Sequence, residues 1–229
     1  MTLVLLPGLD GTDVFFRPLL AALPPWVTPI VVRYPPEGAN GYEHLLDVAG
    51  EAVRDLSECW VLGWSFSGPL ALELARRHGQ RIRGVILCAS FVRAPYPFLR
   101  WCRFAAVGGV LWSIRVARRV PAFLSARQRS VWRDKSETWS SVSADTLARR
   151  VRALLSVDVS ETLRRCETPI VYLASSRDLI VPRRNAEEIV RLKPSTRVIV
   201  IDGPHMALYT NPQQAADAIC QVTSALSRP

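Results

Sequence analysis

Residues 60–68 read Trp-Val-Leu-Gly-Trp-Ser-Phe-Ser-Gly, so an apolar, strand-like segment leads directly into a serine between small residues, and a helical pattern follows at once. A catalytic serine at a tight strand-to-helix turn needs small neighbours, because its backbone is strained and its hydroxyl is held above the sheet. Gly63, Ser67 and Gly68 meet that requirement. A purely structural turn has the same pattern, so the interpretation of Ser65 depends on the rest of the chain.

Short apolar strands alternate with amphipathic helices along most of the chain. Strands are predicted at residues 2–6, 29–34, 59–62, 85–89, 170–173 and 196–201, and helices at 13–23, 45–56, 69–78, 183–192 and 212–226. This alternation predicts an α/β fold, in which a mostly parallel sheet carries helices on both faces. In open sheets of this kind, functional side chains gather at the carboxyl ends of the strands.

An Arg-rich segment interrupts the alternation. Residues 93–159 show helical or irregular patterns and no clear strand, which predicts an inserted helical lid in a single domain whose core is formed by residues 1–92 and 160–229. The chain has a net charge of +9, and residues 91–165 alone carry a surplus of +10. The basic excess of the protein therefore belongs to this segment.

A serine hydroxyl becomes a good nucleophile only when a base accepts its proton, and the chain has three histidines. His44 and His78 lie at predicted helix ends, whereas His205 follows the last predicted strand in a turn that contains Gly and Pro. His205 is therefore the predicted base. Asp178 follows the preceding strand and is predicted to orient the imidazole. Asp202, three residues before His205, is the alternative acid.

These candidates occur in the order Ser65, Asp178, His205, each on a predicted strand-end loop. The arrangement resembles the α/β-hydrolase family, whose triad follows the same chain order. The resemblance implies an α/β-hydrolase fold that is trimmed at its N-terminus, because the chain begins at what the family would count as its third strand. Ser67 departs from the family's usual glycine, and a small serine is compatible with the turn.

The turn after Ser65 leaves the backbone N–H of Phe66 at a helix start, where it can face a developing negative charge. Residues 5–11, Leu-Leu-Pro-Gly-Leu-Asp-Gly, are similar to the oxyanion loop of the α/β-hydrolases. The resemblance implies that the N–H of Leu9 is the second donor of an oxyanion hole. Hydrolysis by such a triad requires no metal and no organic cofactor, and none is expected.

Within the family, the segment around Ser65 and the Arg-bearing insertion are similar to the pimeloyl-acyl-carrier-protein methyl ester esterases of biotin synthesis. That resemblance implies an acidic acyl carrier protein as a partner that docks on lid arginines. The candidates are Arg118, Arg119, Arg127, Arg129, Arg133, Arg149, Arg150 and Arg152. A solvated face is the alternative, since Arg outnumbers Lys 27 to 2 across the whole chain.

The predicted function is that of a serine carboxylesterase, with an acyl thioesterase or a non-catalytic binding protein of the same fold as alternatives. Nucleic-acid binding lacks a motif. Five cysteines without a CxxC pair argue against a zinc site and a disulfide framework, and favour a reducing compartment. No signal peptide or membrane-spanning run is evident, so a cytoplasmic location is expected.

Overall fold

The computed structural model describes residues 1–96, 134, 137–138 and 141–226. The regular elements described are β1 Thr2–Leu6, a 3-10 helix Val14–Phe16, α1 Arg17–Ala22, β2 Thr28–Val31, α2 Tyr42–Val53, β3 Cys59–Trp64, a 3-10 helix Ser65–Ser67, α3 Gly68–His78, β4 Ile82–Cys88, α4 Ala144–Ser156, α5 Ser160–Arg165, β5 Ile170–Ser175, α6 Arg184–Leu192, β6 Arg197–Ile201, α7 Ala207–Thr210 and α8 Pro212–Leu226.

The six strands form one sheet in the order β2-β1-β3-β4-β5-β6, and every neighbouring pair is parallel. The predicted α/β-hydrolase architecture is thereby confirmed. Parallel neighbours place the carboxyl ends of all strands at one edge, which brings the loops after β1, β3, β5 and β6 together. That edge is where the candidate side chains lie.

Successive residues of a strand point to opposite faces of the sheet, and both faces are covered here. Val4 and Leu6 pack on one side with residues of α2, α3, α5 and α6. Leu3 and Leu5 pack on the other side with residues of α1, α7 and α8. Burial on both faces explains why the central strands β1 and β3 are nearly continuously apolar rather than alternating.

The ends of the Arg-rich segment meet beside the sheet. Arg93 and Asp158 form an isolated antiparallel bridge, and Nε of Arg93 lies 3.0 Å from Oδ2 of Asp158. The N–H of Val159 donates to the carbonyl of Val92 at 2.9 Å. The segment thus leaves after β4 and returns before β5. Its role as a lid stays a prediction, since most of it lies outside the described residues.

Several element bounds differ from those predicted from the sequence. The helix predicted over residues 13–23 is divided into the 3-10 helix Val14–Phe16 and α1, because a proline in the first turn of α1 has no N–H to continue the hydrogen-bond ladder. The second strand ends at Val31 instead of residue 34. Helix α7 has four residues and no sequence prediction anticipates it. In the described part of the chain, no helix is long and apolar enough to cross a membrane.

Candidate active site

The turn that carries Ser65 connects β3 directly to α3. Ser65 has a φ of 53°, a left-handed conformation that costs a non-glycine residue about 1–3 kcal/mol. The turn is possible because its neighbours are small: a Cβ on Gly63 would lie 2.4 Å from the carbonyl oxygen of Ser67, and a Cβ on Gly68 would lie 1.9 Å from Oγ of Ser90. Oγ of Ser90 also donates to the carbonyl of Ser65 at 2.6 Å. These contacts fix the position of the candidate nucleophile.

Three predicted side chains are brought together at the carboxyl edge of the sheet. Nε2 of His205 lies 2.9 Å from Oγ of Ser65, and Nδ1 of His205 lies 2.8 Å from Oδ2 of Asp178. The side chains of His205 and Asp178 are 11% and 6% exposed, so water is largely excluded from the pair. When Nδ1–H donates to the carboxylate, Nε2 is left to accept the proton of the serine.

Backbone groups hold the carboxylate of Asp178 in place. Its Oδ1 accepts hydrogen bonds from the N–H groups of Ile180 and Val181, each at 2.8 Å, which leaves Oδ2 for the imidazole.

The ring of Trp64 stacks on His205 with a centroid distance of 6.0 Å, and Nε1 of Trp64 donates to the carbonyl of His205 at 3.4 Å. Trp64 was not identified as a site residue from the sequence. Its position at the last residue of the strand before the serine is the signal that could have found it.

Asp202, the alternative acid, does not contact the imidazole. Its carboxylate accepts a hydrogen bond from the hydroxyl of Ser176 at 2.7 Å and another from a guanidinium N–H of Arg177 at 3.2 Å. The hydrogen bond from Ser176 and the charge of Arg177 hold the pKa of Asp202 below its usual range. These contacts link the loop after β5 to the loop after β6. Asp202 therefore supports the loop that carries the histidine, and Asp178 occupies the position beside the ring.

The two expected oxyanion-hole donors lie on adjacent loops. Leu6 at the end of β1 is in register with Gly63 of β3, so the loop that contains Leu9 runs beside the turn that contains Phe66. The N–H of Phe66 belongs to the first turn leading into α3, where N–H groups lack acceptors within the helix. Among the described residues, the N–H of Leu9 makes no hydrogen bond to the backbone or a side chain. The role of these two groups stays a prediction.

Ser67 has a contact that a glycine would lack. Its fully buried hydroxyl donates to the carbonyl of Pro7 and lies 2.5 Å from the hydroxyl of Tyr34. The departure from the family's usual glycine therefore connects the turn of Ser65 to the loop of Leu9. Tyr34 was not identified from the sequence, because its hydroxyl meets Ser67 only through tertiary packing.

The eight arginines proposed for docking fall into three groups: two are exposed, one is buried and five lie outside the described residues. Arg149 and Arg152 are exposed on α4, and no ion pair is found for either among the described residues. The prediction that Arg150 belongs to a docking surface is wrong, because its side chain is 0% exposed and its guanidinium binds protein carbonyl groups. The remaining five candidates lie outside the described residues: Arg118, Arg119, Arg127, Arg129 and Arg133.

A cavity of about 710 Å³ opens between α6 and β6. Its lining includes Asp178, Val190, Val198 and Val200. Neither Ser65 nor His205 lines it, so it is distinct from the space where a substrate would meet the nucleophile. In the described ranges, no three His, Cys, Asp or Glu side chains come together as a metal site.

The sequence of the chain matches a protein-family model and several known proteins. The sequence model of the alpha/beta hydrolase family matches residues 3–218. A pimeloyl-[acyl-carrier protein] methyl ester esterase of Neisseria meningitidis serogroup B is 24% identical, with 94% of this chain and 89% of the relative aligned. A pyrrolizixenacetamide deacetylase of Xenorhabdus hominickii is 25% identical over 67% of this chain and 61% of that protein.

Solved structures share the fold. The enol-lactonase of Burkholderia xenovorans LB400 superposes with a TM-score of 0.80 at 18% identity, covering 97% of this chain and 91% of that one. A structure described among carboxylesterases of the thaumarchaeon Nitrososphaera gargenis also has a TM-score of 0.80, at 17% identity, covering 99% of this chain and 90% of the other. At these identities the superpositions bear on the fold alone.

Proposed function

Because the chain belongs to the alpha/beta hydrolase family, we propose that this hydrolase is a serine carboxylesterase that forms an acyl-enzyme on Ser65. The observation that carries the proposal is the chain of two hydrogen bonds through His205, 2.9 Å to Oγ of Ser65 and 2.8 Å to Oδ2 of Asp178. A serine in a strained turn, a base within bonding distance and a carboxylate that orients the base are the parts that ester hydrolysis requires.

The first half-reaction acylates the serine. Nε2 of His205 accepts the proton of Ser65 while Oγ attacks the ester carbonyl, and Asp178 stabilises the imidazolium that forms. The N–H groups of Leu9 and Phe66 donate to the negative oxygen of the tetrahedral intermediate. When the intermediate collapses, the imidazolium returns the proton to the departing alcohol.

The second half-reaction releases the acyl group. A water molecule takes the place of the alcohol, and His205 accepts its proton as the water oxygen attacks the acyl carbonyl. The same donors stabilise the second tetrahedral intermediate. Collapse frees the carboxylic acid and returns the proton to Ser65, so every step uses groups of this chain and water.

The proposed substrate class is an ester carried by an acidic acyl carrier protein. The relative named pimeloyl-[acyl-carrier protein] methyl ester esterase supports this assignment at 24% identity. Arg149 and Arg152 supply exposed positive charge on α4, the helix whose buried face contacts the loop of Leu9. Positive charge near a site attracts an acidic partner and raises its association rate. A thioester would use the same catalytic groups.

Labelling with a fluorophosphonate probe tests the proposed function. We expect the wild-type protein to be labelled at one serine and Ser65→Ala to remain unlabelled, because the probe reacts with serines that have an activating base. Correctly folded wild-type protein that resists labelling would reject the enzyme and favour a binding protein. A panel of p-nitrophenyl esters with two to twelve acyl carbons, with matched thioesters and methyl esters on an acyl carrier protein, then identifies the preferred substrate.

A further inference from the structure

Arg150 belongs to the Arg-rich segment, yet its side chain reaches the loop after β1. The guanidinium is fully buried, in contrast to the exposed neighbour Arg149. It lies over the ring of Tyr34, with Cζ 5.5 Å from the ring centroid. A buried charge is costly unless its hydrogen-bonding groups are satisfied, so a residue held in this way needs an explanation beyond surface charge.

All five N–H donors of the Arg150 guanidinium are used. Nη1 donates to the carbonyl oxygens of Leu9 at 2.9 Å and Asp10 at 2.7 Å. Nη2 donates to the carbonyl of Pro35 at 2.9 Å and to Oδ1 of Asn40 at 2.8 Å, and Nε donates to the same Oδ1 at 3.0 Å. Burial lowers the pKa of Arg150 to about 10, which leaves it charged at neutral pH. The planar group thus joins two separate backbone segments, at Leu9–Asp10 and at Pro35, to the side chain of Asn40.

The bonds from Arg150 complete a set that fixes the loop of residues 7–11. The hydroxyl of Ser67 donates a hydrogen bond to the carbonyl of Pro7. The N–H of Gly11 donates to the carbonyl of Gly8 at 3.0 Å, and the N–H of Tyr34 donates to the carbonyl of Gly11 at 2.9 Å. Arg150 supplies the bonds to the two remaining carbonyls. Every carbonyl group of the loop therefore has a donor, so the orientation of each peptide plane is set.

Two rigid peptide planes connect Arg150 to the N–H of Leu9. The carbonyl of Asp10 and the N–H of Gly11 share one planar peptide, so the bond from Arg150 to that carbonyl also directs the Gly11 N–H. The N–H of Gly11 in turn donates a hydrogen bond to the carbonyl of Gly8. The carbonyl of Gly8 and the N–H of Leu9 belong to one planar peptide, so fixing the carbonyl also fixes the direction of that N–H. Gly11 has a φ of 74°, and a Cβ there would lie 2.6 Å from Nη1 of Arg150, so the close approach requires glycine.

We propose that Arg150 is a positioning residue that aims the N–H of Leu9 at the oxyanion. The inference rests on the proposed esterase function, because an oxyanion forms only during acyl transfer. It gives the Arg-rich segment a role in turnover that does not depend on a carrier protein. Leu147 and Ala148 of α4 pack near Leu9, and the guanidinium of Arg150 adds the hydrogen bonds to the donor loop, while the exposed arginines of the helix face solvent.

The test is the kinetics of Arg150→Gln on p-nitrophenyl acetate. We expect kcat to fall by about 10- to 100-fold with KM within about 3-fold, since misaiming one donor should cost less than deleting it, which costs about 100- to 1000-fold. Active enzyme is counted by end-point fluorophosphonate titration. The inhibition constant of an alkylboronic acid should rise with the loss of kcat, because the tetrahedral boronate places a negative oxygen in the same position.

Two further variants separate positioning from support of the fold. Arg150→Lys keeps the charge and some of the bonds, and should recover part of the kcat and of the boronic acid affinity. Arg54→Gln, at an exposed arginine at the end of α2, is the matched control and should match the wild type in both measurements. If Arg150→Gln does not fold, Asn40→Gly replaces it: Asn40 has a φ of 49°, which glycine adopts freely. This variant loses the acceptor shared by Nε and Nη2 of Arg150, and the side-chain bond to the carbonyl of Glu37 at 2.7 Å. It should lower kcat by about 3- to 10-fold, less than Arg150→Gln, because the bonds to the loop remain.

The outcomes distinguish this inference from the proposed function. Folded Arg150→Gln, or Asn40→Gly in its place, with wild-type kcat and boronic acid affinity would overturn the positioning role and leave the esterase intact. A fall in thermal stability alone, with both active-site measurements unchanged, would overturn it equally. A wild-type protein that neither hydrolyses esters nor reacts with the fluorophosphonate would overturn both.

Discussion

The carboxyl edge of the sheet and helix α4 arrange their side chains in opposite ways. At the sheet edge, Ser65 and His205 are 140 residues apart in the chain and 2.9 Å apart between Oγ and Nε2. On α4, Arg149 and Arg150 are adjacent in the chain, yet one is exposed and the other fully buried. The topology of a parallel sheet brings distant residues to one edge, whereas consecutive residues of a helix point about 100° apart. Distance along the sequence is therefore a poor guide to shared function in this molecule.

The largest effect should come from the triad itself. Ser65→Ala and His205→Ala are each expected to lower kcat by at least about 10⁴-fold, because the nucleophile and its base act as a unit and removing either removes both. The measurement is ester hydrolysis under saturating substrate, with circular dichroism to show that the fold is intact. Substantial turnover in either variant would mean that the meeting of these residues at the sheet edge is not catalytic.

The next effect compares the two aspartates near the histidine. Asp178→Asn should lower kcat by about 10³-fold or more, because an amide beside Nδ1 favours the wrong tautomer of the imidazole. Asp202→Asn removes a carboxylate that is 60% exposed and lies outside the triad, and it should change kcat by less than about 5-fold. Parallel kinetic measurements on both variants decide the assignment. Equal losses would show that the hydrogen bond seen at Asp178 is not the one used in turnover.

The smallest effect concerns the exposed arginines of α4. Arg149→Glu combined with Arg152→Glu should raise KM for a methyl ester on an acyl carrier protein by about 5- to 10-fold and leave p-nitrophenyl acetate hydrolysis unchanged. The difference should shrink at high salt, since exposed charges are screened. Arg54→Glu combined with Arg83→Glu alters the net charge equally at a distant surface and serves as the control. Equal effects of the two double variants would reject docking at α4.

The fold was predictable because each strand has a local apolar pattern. All six strands of the sheet occur near their predicted positions, and the order Ser65, Asp178, His205 identified the three side chains that meet. Parallel pairing then leaves few choices, since the ends of the strands must lie at one edge. The element bounds differ only slightly from the predicted ones, because they depend on the local turns and not on the order of the strands in the sheet.

The contacts of Arg150 were not predictable from the sequence. Nothing local distinguishes it from Arg149, because burial depends on which side of α4 meets the loop after β1. Ser67 appeared only as a tolerated replacement of glycine, and its bonds to Pro7 and Tyr34 involve residues 60 and 33 positions away. Such contacts depend on tertiary packing, for which short sequence patterns carry no signal.

Trapping the acyl-enzyme tests the central claim most directly. The wild-type protein is mixed with a slowly deacylating p-nitrophenyl ester, quenched in acid and digested, and the peptides are weighed by mass spectrometry. We predict that the peptide containing Ser65 gains the mass of the acyl group and that His205→Ala shows no such gain. Ester hydrolysis that proceeds with the acyl group on another residue, or with no adduct under any quench time while turnover continues, would contradict the proposed mechanism.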